Sequence, residues 1–176
     1  VLLVENRCTA ARIGERHLLL AAHCVLALSS SGRSLLPILD ANYKRGGKIE
    51  VTDSNDVAAA RYRELTVVRT HVHPAWLSEC GASGCAFDHS IRGVAPPDIA
   101  VIETVESPPG TIATVDTGHV ASGDPLMLVG YGCEETLNDP SAPRRLKYAM
   151  TEAIDASSSL NGFAQRAYFE TGGVES

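Results

Sequence analysis

No stretch of this 176-residue sequence stays apolar for long. The longest apolar runs, such as Leu18 to Ala22 and Pro125 to Val129, fall far short of the roughly 20 residues that a membrane-crossing helix needs. A basic run is missing too: 15 Lys and Arg stand against 21 Asp and Glu, for a net charge of −6 and a pI near 5.5. That balance argues against a nucleic acid or an anionic membrane as partner. Internal repeats and low-complexity tracts are absent. No stretch beyond about three turns keeps a helical apolar period, apart from a turn at Ala21–Leu28. There is no initiator Met and no positively charged leader, so any targeting segment is expected to have been removed. The chain opens inside an apolar stretch, Val1-Leu2-Leu3-Val4, and closes on Gly172-Gly173-Val174-Glu175-Ser176. The expectation is a chain cut from the middle of a longer one.

What is present reads as a folded protein. The chain is 44% hydrophobic and 20% charged, with mean hydropathy +0.01, which excludes disorder as the main state. The length suits one large domain or two small ones. Short β-type runs separated by Gly, Pro, Asn and Ser dominate: Val1–Glu5, Cys8–Ile13, His17–Leu20, Lys48–Asp53, Leu65–His71, Ile99–Glu103, Leu126–Tyr131, Leu146–Ile154 and Ala167–Thr171. Many short strands at this spacing predict an antiparallel barrel or sandwich. Ser29–Ser34 and Ser157–Ser159 have loop composition, and Ser107-Pro108-Pro109-Gly110 is the clearest boundary between two units.

The five cysteines divide unevenly. Cys8 and Cys24 are able to bridge adjacent strands, and Cys80 and Cys85 flank a short loop, Gly81-Ala82-Ser83-Gly84, able to close on itself. Cys133 has no evident partner, which points to one outside this sequence. Disulfides would imply an oxidising compartment.

The chemistry concentrates at His17-Leu18-Leu19-Leu20-Ala21-Ala22-His23-Cys24. A His just past an apolar strand, beside a bridged Cys, is held rigidly at a sheet edge, as general-base work requires. Ala21-Ala22-His23-Cys24, with Cys8 upstream, resembles the His motif of the chymotrypsin-like (trypsin-family) serine proteases. Asp98-Ile99-Ala100-Val101-Ile102 resembles that family's second signature, an Asp opening an apolar strand. Gly130-Tyr131-Gly132, ending Leu126-Met127-Leu128-Val129, resembles a third. Three such motifs in the right order are specific where one alone is not, and the resemblance spans essentially the whole chain.

The resemblance implies an all-β fold of two antiparallel six-stranded barrels: the first over residues 1–108, the second only partly represented by 109–176. It implies that His23 is the general base and Asp98 its orienter. It also implies a protein or peptide substrate. The cysteine spacing is read as disulfides Cys8–Cys24 and Cys80–Cys85, which imply a secreted or periplasmic, oxidising compartment, and nothing in the sequence indicates a cofactor or a metal. The family's nucleophile motif, Gly-Asp-Ser-Gly-Gly, is not in this sequence. The tail from Ala167 to Ser176 resembles the strand and loop that lead into it. The nucleophilic Ser, and a partner for Cys133, are therefore expected on a second chain or a segment after Ser176, and residues 1–176 alone are expected to be inactive. If a Cys follows Ser176, Glu175 falls at the floor of the primary specificity pocket and favours Arg or Lys before the scissile bond. Val1 is too near Cys8 to be the buried N-terminus of the mature family enzyme, so zymogen and mature states both stay open. The rival reading is a catalytically inactive protease-like binding module.

Other clusters have plainer readings. His71 and His73 share a strand face and with Cys80 and Cys85 compose a two-Cys, two-His zinc set, against which stands a disulfide loop with two surface histidines. Asp53 and Asp56 offer too few oxygens for a calcium loop. Arg144-Arg145 reads as a solvated pair or a basic cleavage site, and Arg61, Arg63 and Arg69 as one polar face.

Overall fold

The computed structural model describes residues 1–28, 34–76, 85–86, 98–118, 120–131, 145–154 and 170–171, with 34, 35, 37, 85, 86, 154, 170 and 171 described by backbone only. Cys80, Cys133, Glu175 and Arg144 lie outside the described residues, as does the side chain of Cys85.

Twelve strands run in chain order: β1 (Leu2–Val4), β2 (Cys8–Gly14), β3 (His17–Leu20), β4 (Leu26–Leu28), β5 (Ser34–Leu39), β6 (Lys48–Thr52), β7 (Arg63–Val72), β8 (Cys85–Ala86), β9 (Ala100–Thr104), β10 (Pro125–Gly130), β11 (Lys147–Ile154) and β12 (Glu170–Thr171). Six of them close an antiparallel barrel in the order β1-β2-β3-β9-β7-β6, β6 pairing back onto β1. The fold is all-β. Three-stranded sheets β4-β5-β8 and β10-β11-β12 accompany the barrel.

Alternation makes the barrel. In β3, Leu18 and Leu20 point inward while His17 and Leu19 are half-buried; in β9, Ala100, Ile102 and Thr104 point inward. Ile49 and Val51 of β6, Leu65 and Val67 of β7, and Leu2 and Val4 of β1 complete one core. A two-residue period with one buried face is what a closed small barrel requires. β7 changes face partway: Val67 is buried and Arg69 exposed, although both are odd-numbered. The register against β9 shifts between these two residues, and the extra residue of the bulge turns the later side chains over.

The expected turn over Ala21–Leu28 resolves into a one-turn 3-10 helix, Ala22–Cys24, followed by β4. β5 and β8 were not expected from sequence. β5 overlaps the Ser-rich stretch and contains Pro37, which demotes a run as a strand because proline lacks the ladder N–H.

The β10–β12 sheet meets the barrel at a few points. Tyr131 is buried; its N–H donates to Thr9 Oγ1 (3.2 Å) and its hydroxyl to Ser54 O (3.0 Å). Leu146 N–H donates to Asn55 O at 3.1 Å, and the backbone of Arg145 forms an isolated antiparallel β-bridge with that of Asp56. Among the described residues of this sheet, Met127, Leu128, Tyr148 and Met150 are exposed, whereas Ala153 is buried.

Candidate active site

The register of two strands brings His23 and Asp98 together. Leu20 at the end of β3 pairs with Ala100 at the start of β9, antiparallel. His23 lies three residues beyond Leu20, and Asp98 two before Ala100, so both leave the barrel at the same rim. A separation of 75 residues in sequence becomes a direct contact.

The chain turns sharply after β3 because Ala21 stays extended and Ala22–Cys24 wind into the 3-10 turn, Cys24 N–H donating to Ala21 O and Val25 N–H to Ala22 O. Such a turn leaves its first N–H groups without internal partners. Asp98 fills that place: Oδ1 accepts from the His23 backbone N–H at 2.9 Å, and Oδ2 lies 2.6 Å from Nδ1 of the His23 ring. One carboxylate thus fixes both the backbone and the imidazole of one residue. With Asp98 ionised, Nδ1 carries the hydrogen and donates it. Nε2 is left without a hydrogen-bond partner among the described residues. The two side chains are 43% and 30% exposed, so the ring is reachable from solvent.

Two opposed effects act on the Asp98 carboxyl. Partial burial is the larger single one and raises its pKa. Hydrogen bonds from the ring and backbone of His23, the attraction of His23 and a hydrogen bond from the backbone of Ala22 together outweigh it. The net result lies below the ordinary carboxylate range. Asp98 is therefore held ionised, the state in which it orients an imidazole and stabilises an imidazolium.

Behind the ring, Cys8 and Cys24 form a disulfide with a Cα–Cα distance of 6.2 Å, tying β2 to the 3-10 turn. Both half-cystines are buried. The bond is compatible with an oxidising compartment. The sulfurs of Cys8 and Cys24 and a ring nitrogen of His23 all lie within 4.8 Å of one another, but while the sulfurs are bonded to each other they are not thiolate ligands.

The Arg7 guanidinium also braces this end of the barrel, donating to Cys24 O at 3.0 Å. No motif announced it. It stands in the turn between β1 and β2, where Glu5 (φ 53) and Asn6 (φ 48) adopt the left-handed conformation. Glu5 is unusual there, and its carboxylate is anchored by the N–H of Glu50 at 2.6 Å and by Asn42 Nδ2 at 3.3 Å.

The remaining sequence candidates do not join the site. His71 and His73 are exposed, and His73 Nδ1 accepts from Ala75 N–H at 3.2 Å. Asp56 caps the short turn Val57–Ala59 through Ala58 N–H at 3.0 Å. Arg61, Arg63 and Arg69 are exposed, Arg69 pairing with Glu103 at 2.6 Å. No helix among the described residues is long and apolar enough to cross a membrane. Compared with models of known protein families and with curated proteins, the chain matches none.

Proposed function

We propose that the assembled protein is a secreted serine endopeptidase working through an acyl-enzyme, with His23 as general base and Asp98 as its orienter. Residues 1–176 form the first barrel and part of a second. The nucleophilic serine belongs to a segment or companion chain beyond Ser176, as does the partner of Cys133. The observation that carries this reading is the two-point hold of Asp98 on His23, through Nδ1 and the backbone N–H.

In that arrangement Nε2 takes the proton of the attacking hydroxyl and returns it to the leaving amine. Asp98 keeps the ring in the tautomer that can accept, and offsets the positive charge that develops on it. The disulfide and the Arg7 contact keep the 3-10 turn in place while this happens. The exposed side chains Met127, Leu128, Tyr148 and Met150 support the second-barrel reading, since an open sheet of this kind is normally covered or paired. If a Cys follows Ser176, Glu175 would fall at the floor of the specificity pocket and favour Arg or Lys before the scissile bond.

The test uses the natural material. Mass spectrometry identifies a companion chain or continuation, and a fluorophosphonate probe is applied to the intact protein. Labelling of a serine outside residues 1–176, lost on His23→Ala, is the expected result. A demonstrably complete protein that takes up no probe would replace the enzyme with the protease-like binding module.

A further inference from the structure

We infer that Arg7, seated on the buried hydroxyl of Tyr43, is a positioning residue for His23, acting through the Cys24 carbonyl to hold the imidazole against Asp98. The turn that carries His23 is gripped at two places. At one, the Asp98 carboxylate takes the His23 N–H. At the other, the Arg7 guanidinium donates through Nη2 to Cys24 O at 3.0 Å, and among the described residues no other donor reaches that oxygen. The next carbonyl, of Val25, accepts from Asp40 N–H at 3.0 Å. Cys24 and Val25 are both buried, so a carbonyl released here would lose a bond that water does not readily replace. His23 thus lies between one carboxylate and one guanidinium, and the direction of its ring follows from both.

Two turns build the seat of Arg7. In the first, Arg7 N–H closes on Val4 O at 3.0 Å across Glu5 and Asn6, both left-handed, the pair of positive φ values that suits a tight hairpin. This fixes Arg7 just ahead of β2. In the second, Ala41–Tyr43, the Tyr43 ring is buried in the barrel core, and its backbone O accepts from Thr70 Oγ1 at 2.7 Å. The Tyr43 hydroxyl ends beside Glu5, Arg7 and Asp40. Burial pushes its pKa up to about 12, the charge of Glu5 adds to this, and the Arg7 guanidinium opposes it. The hydroxyl has no hydrogen bond of full geometry, so the positive charge of Arg7 is what compensates its burial. A surface cavity of about 140 Å3 lies between Glu5, Arg7, Asp40, Asn42 and Tyr43. The guanidinium therefore has room to leave, and it is held by Cys24 O and Tyr43 rather than enclosed by the core.

The catalytic consequence rests on the hydrolase reading above; the positioning does not, and is read on the full chain without any activity. A positioning residue controls the order of the His23 turn while leaving the barrel alone. That separates it from a residue that only adds stability.

Amide hydrogen exchange followed by NMR, with the Cys8–Cys24 bond intact throughout, compares His23 N–H with the N–H groups of Leu18, Leu20 and Ile102 in the barrel. Arg7→Met should lower protection at His23 at least about tenfold, as loss of a bond from a charged donor predicts, with the barrel amides unchanged. The downfield signal of the His23 Nδ1 proton, identified by its absence in Asp98→Asn, should broaden in the same variant. Tyr43→Phe is the sharper case. Deleting a hydroxyl that has no partner should not lower global stability, yet it should lower His23 protection a few-fold, because Arg7 loses its seat. In the complete protein, Arg7→Met should slow fluorophosphonate labelling about tenfold or more. A complete natural protein that takes up no probe removes the hydrolase reading and leaves the exchange result standing. The proposal is overturned by an Arg7→Met chain whose His23 protection and Nδ1 signal match those of the natural chain, or by a fall spread equally over the barrel amides. Unchanged His23 protection in Tyr43→Phe overturns it as well.

Discussion

At the scale of single residues, Asp98 does two jobs with one carboxylate, and only one was legible in the sequence. An Asp opening an apolar strand, downstream of Ala21-Ala22-His23-Cys24, predicts the partner of the His23 ring, and the two side chains do meet at 2.6 Å. The backbone bond to His23 N–H at 2.9 Å was not legible, because the sequence announces a turn over Ala21–Leu28 but not the tight 3-10 geometry of Ala22–Cys24 from which the bond follows. Arg7 was missed for a similar reason: its contact with Cys24 O depends on the left-handed turn at Glu5 and Asn6. The double role of Asp98 makes two separable predictions. On the proposed reading as a hydrolase, Asp98→Asn in the assembled protein should lower kcat by about 10^4-fold, because an amide selects the wrong imidazole tautomer. In the chain alone it should change how stability depends on pH. The folded pKa of Asp98 lies below its unfolded value, so its stabilisation is present above the unfolded pKa and is lost as pH falls through the folded one. Urea midpoints measured from neutral pH into acid should therefore fall less steeply for Asp98→Asn than for the natural chain. Parallel curves would mean that the carboxylate contributes no net stability.

At the scale of elements, alternation carried most of the reading. The runs His17–Leu20 and Ile99–Glu103 become β3 and β9 because each presents one apolar face at every second residue. Where the pattern was broken the reading missed β5, which carries Pro37; the strand expected over Leu65–His71 is present as β7, but the bulge that swaps its faces between Val67 and Arg69 was not foreseen. Turns posed a different difficulty, since glycine in a sequence does not say why it is there. Gly46 and Gly47, between the short turn Ala41–Tyr43 and β6, illustrate this. Both are tied into the barrel, Gly46 N–H donating to Val67 O and Gly47 O accepting from Val67 N–H. Gly46 has φ +81 with open space where a Cβ would sit, whereas a Cβ on Gly47 would fall 2.3 Å from the backbone oxygen of Asn42. Gly46→Ala should then lose about 1 kcal/mol through its left-handed backbone. Gly47→Ala should lose more, up to about 3 kcal/mol, because fixed backbone has to move. Chemical denaturation of the two variants checks the order; a Gly47→Ala midpoint equal to that of the natural chain would show that the turn from Ala41 to Tyr43 yields freely.

At the scale of the whole molecule, the chain joins a closed barrel to an open sheet, and the two differ in how they hold together. The barrel has a continuous buried core from Leu2 to Ile102, although its seam is short: β1 meets β6 through Leu3↔Thr52 and Val4↔Val51. The apolar residues that predicted β10 and β11 predicted strands correctly but not their exposure, because burial depends on what lies opposite, and periodicity does not contain that. The Cys8–Cys24 bond acts on the barrel from outside the seam, joining β2 to the turn after β3 across a separation of 16 residues. A loop of that length, left open, adds entropy to the unfolded chain worth about 3 kcal/mol. Domains of this size have total stabilities of about 5–15 kcal/mol, so the core should survive the loss. Replacing both residues, Cys8→Ala with Cys24→Ala, should lower the unfolding free energy by about 3 kcal/mol while leaving the far-UV spectrum native and the slope of the denaturant curve nearly unchanged. An unfolded double variant would mean that the disulfide, rather than the alternation of β1, β2, β3, β6, β7 and β9, is what keeps the barrel closed.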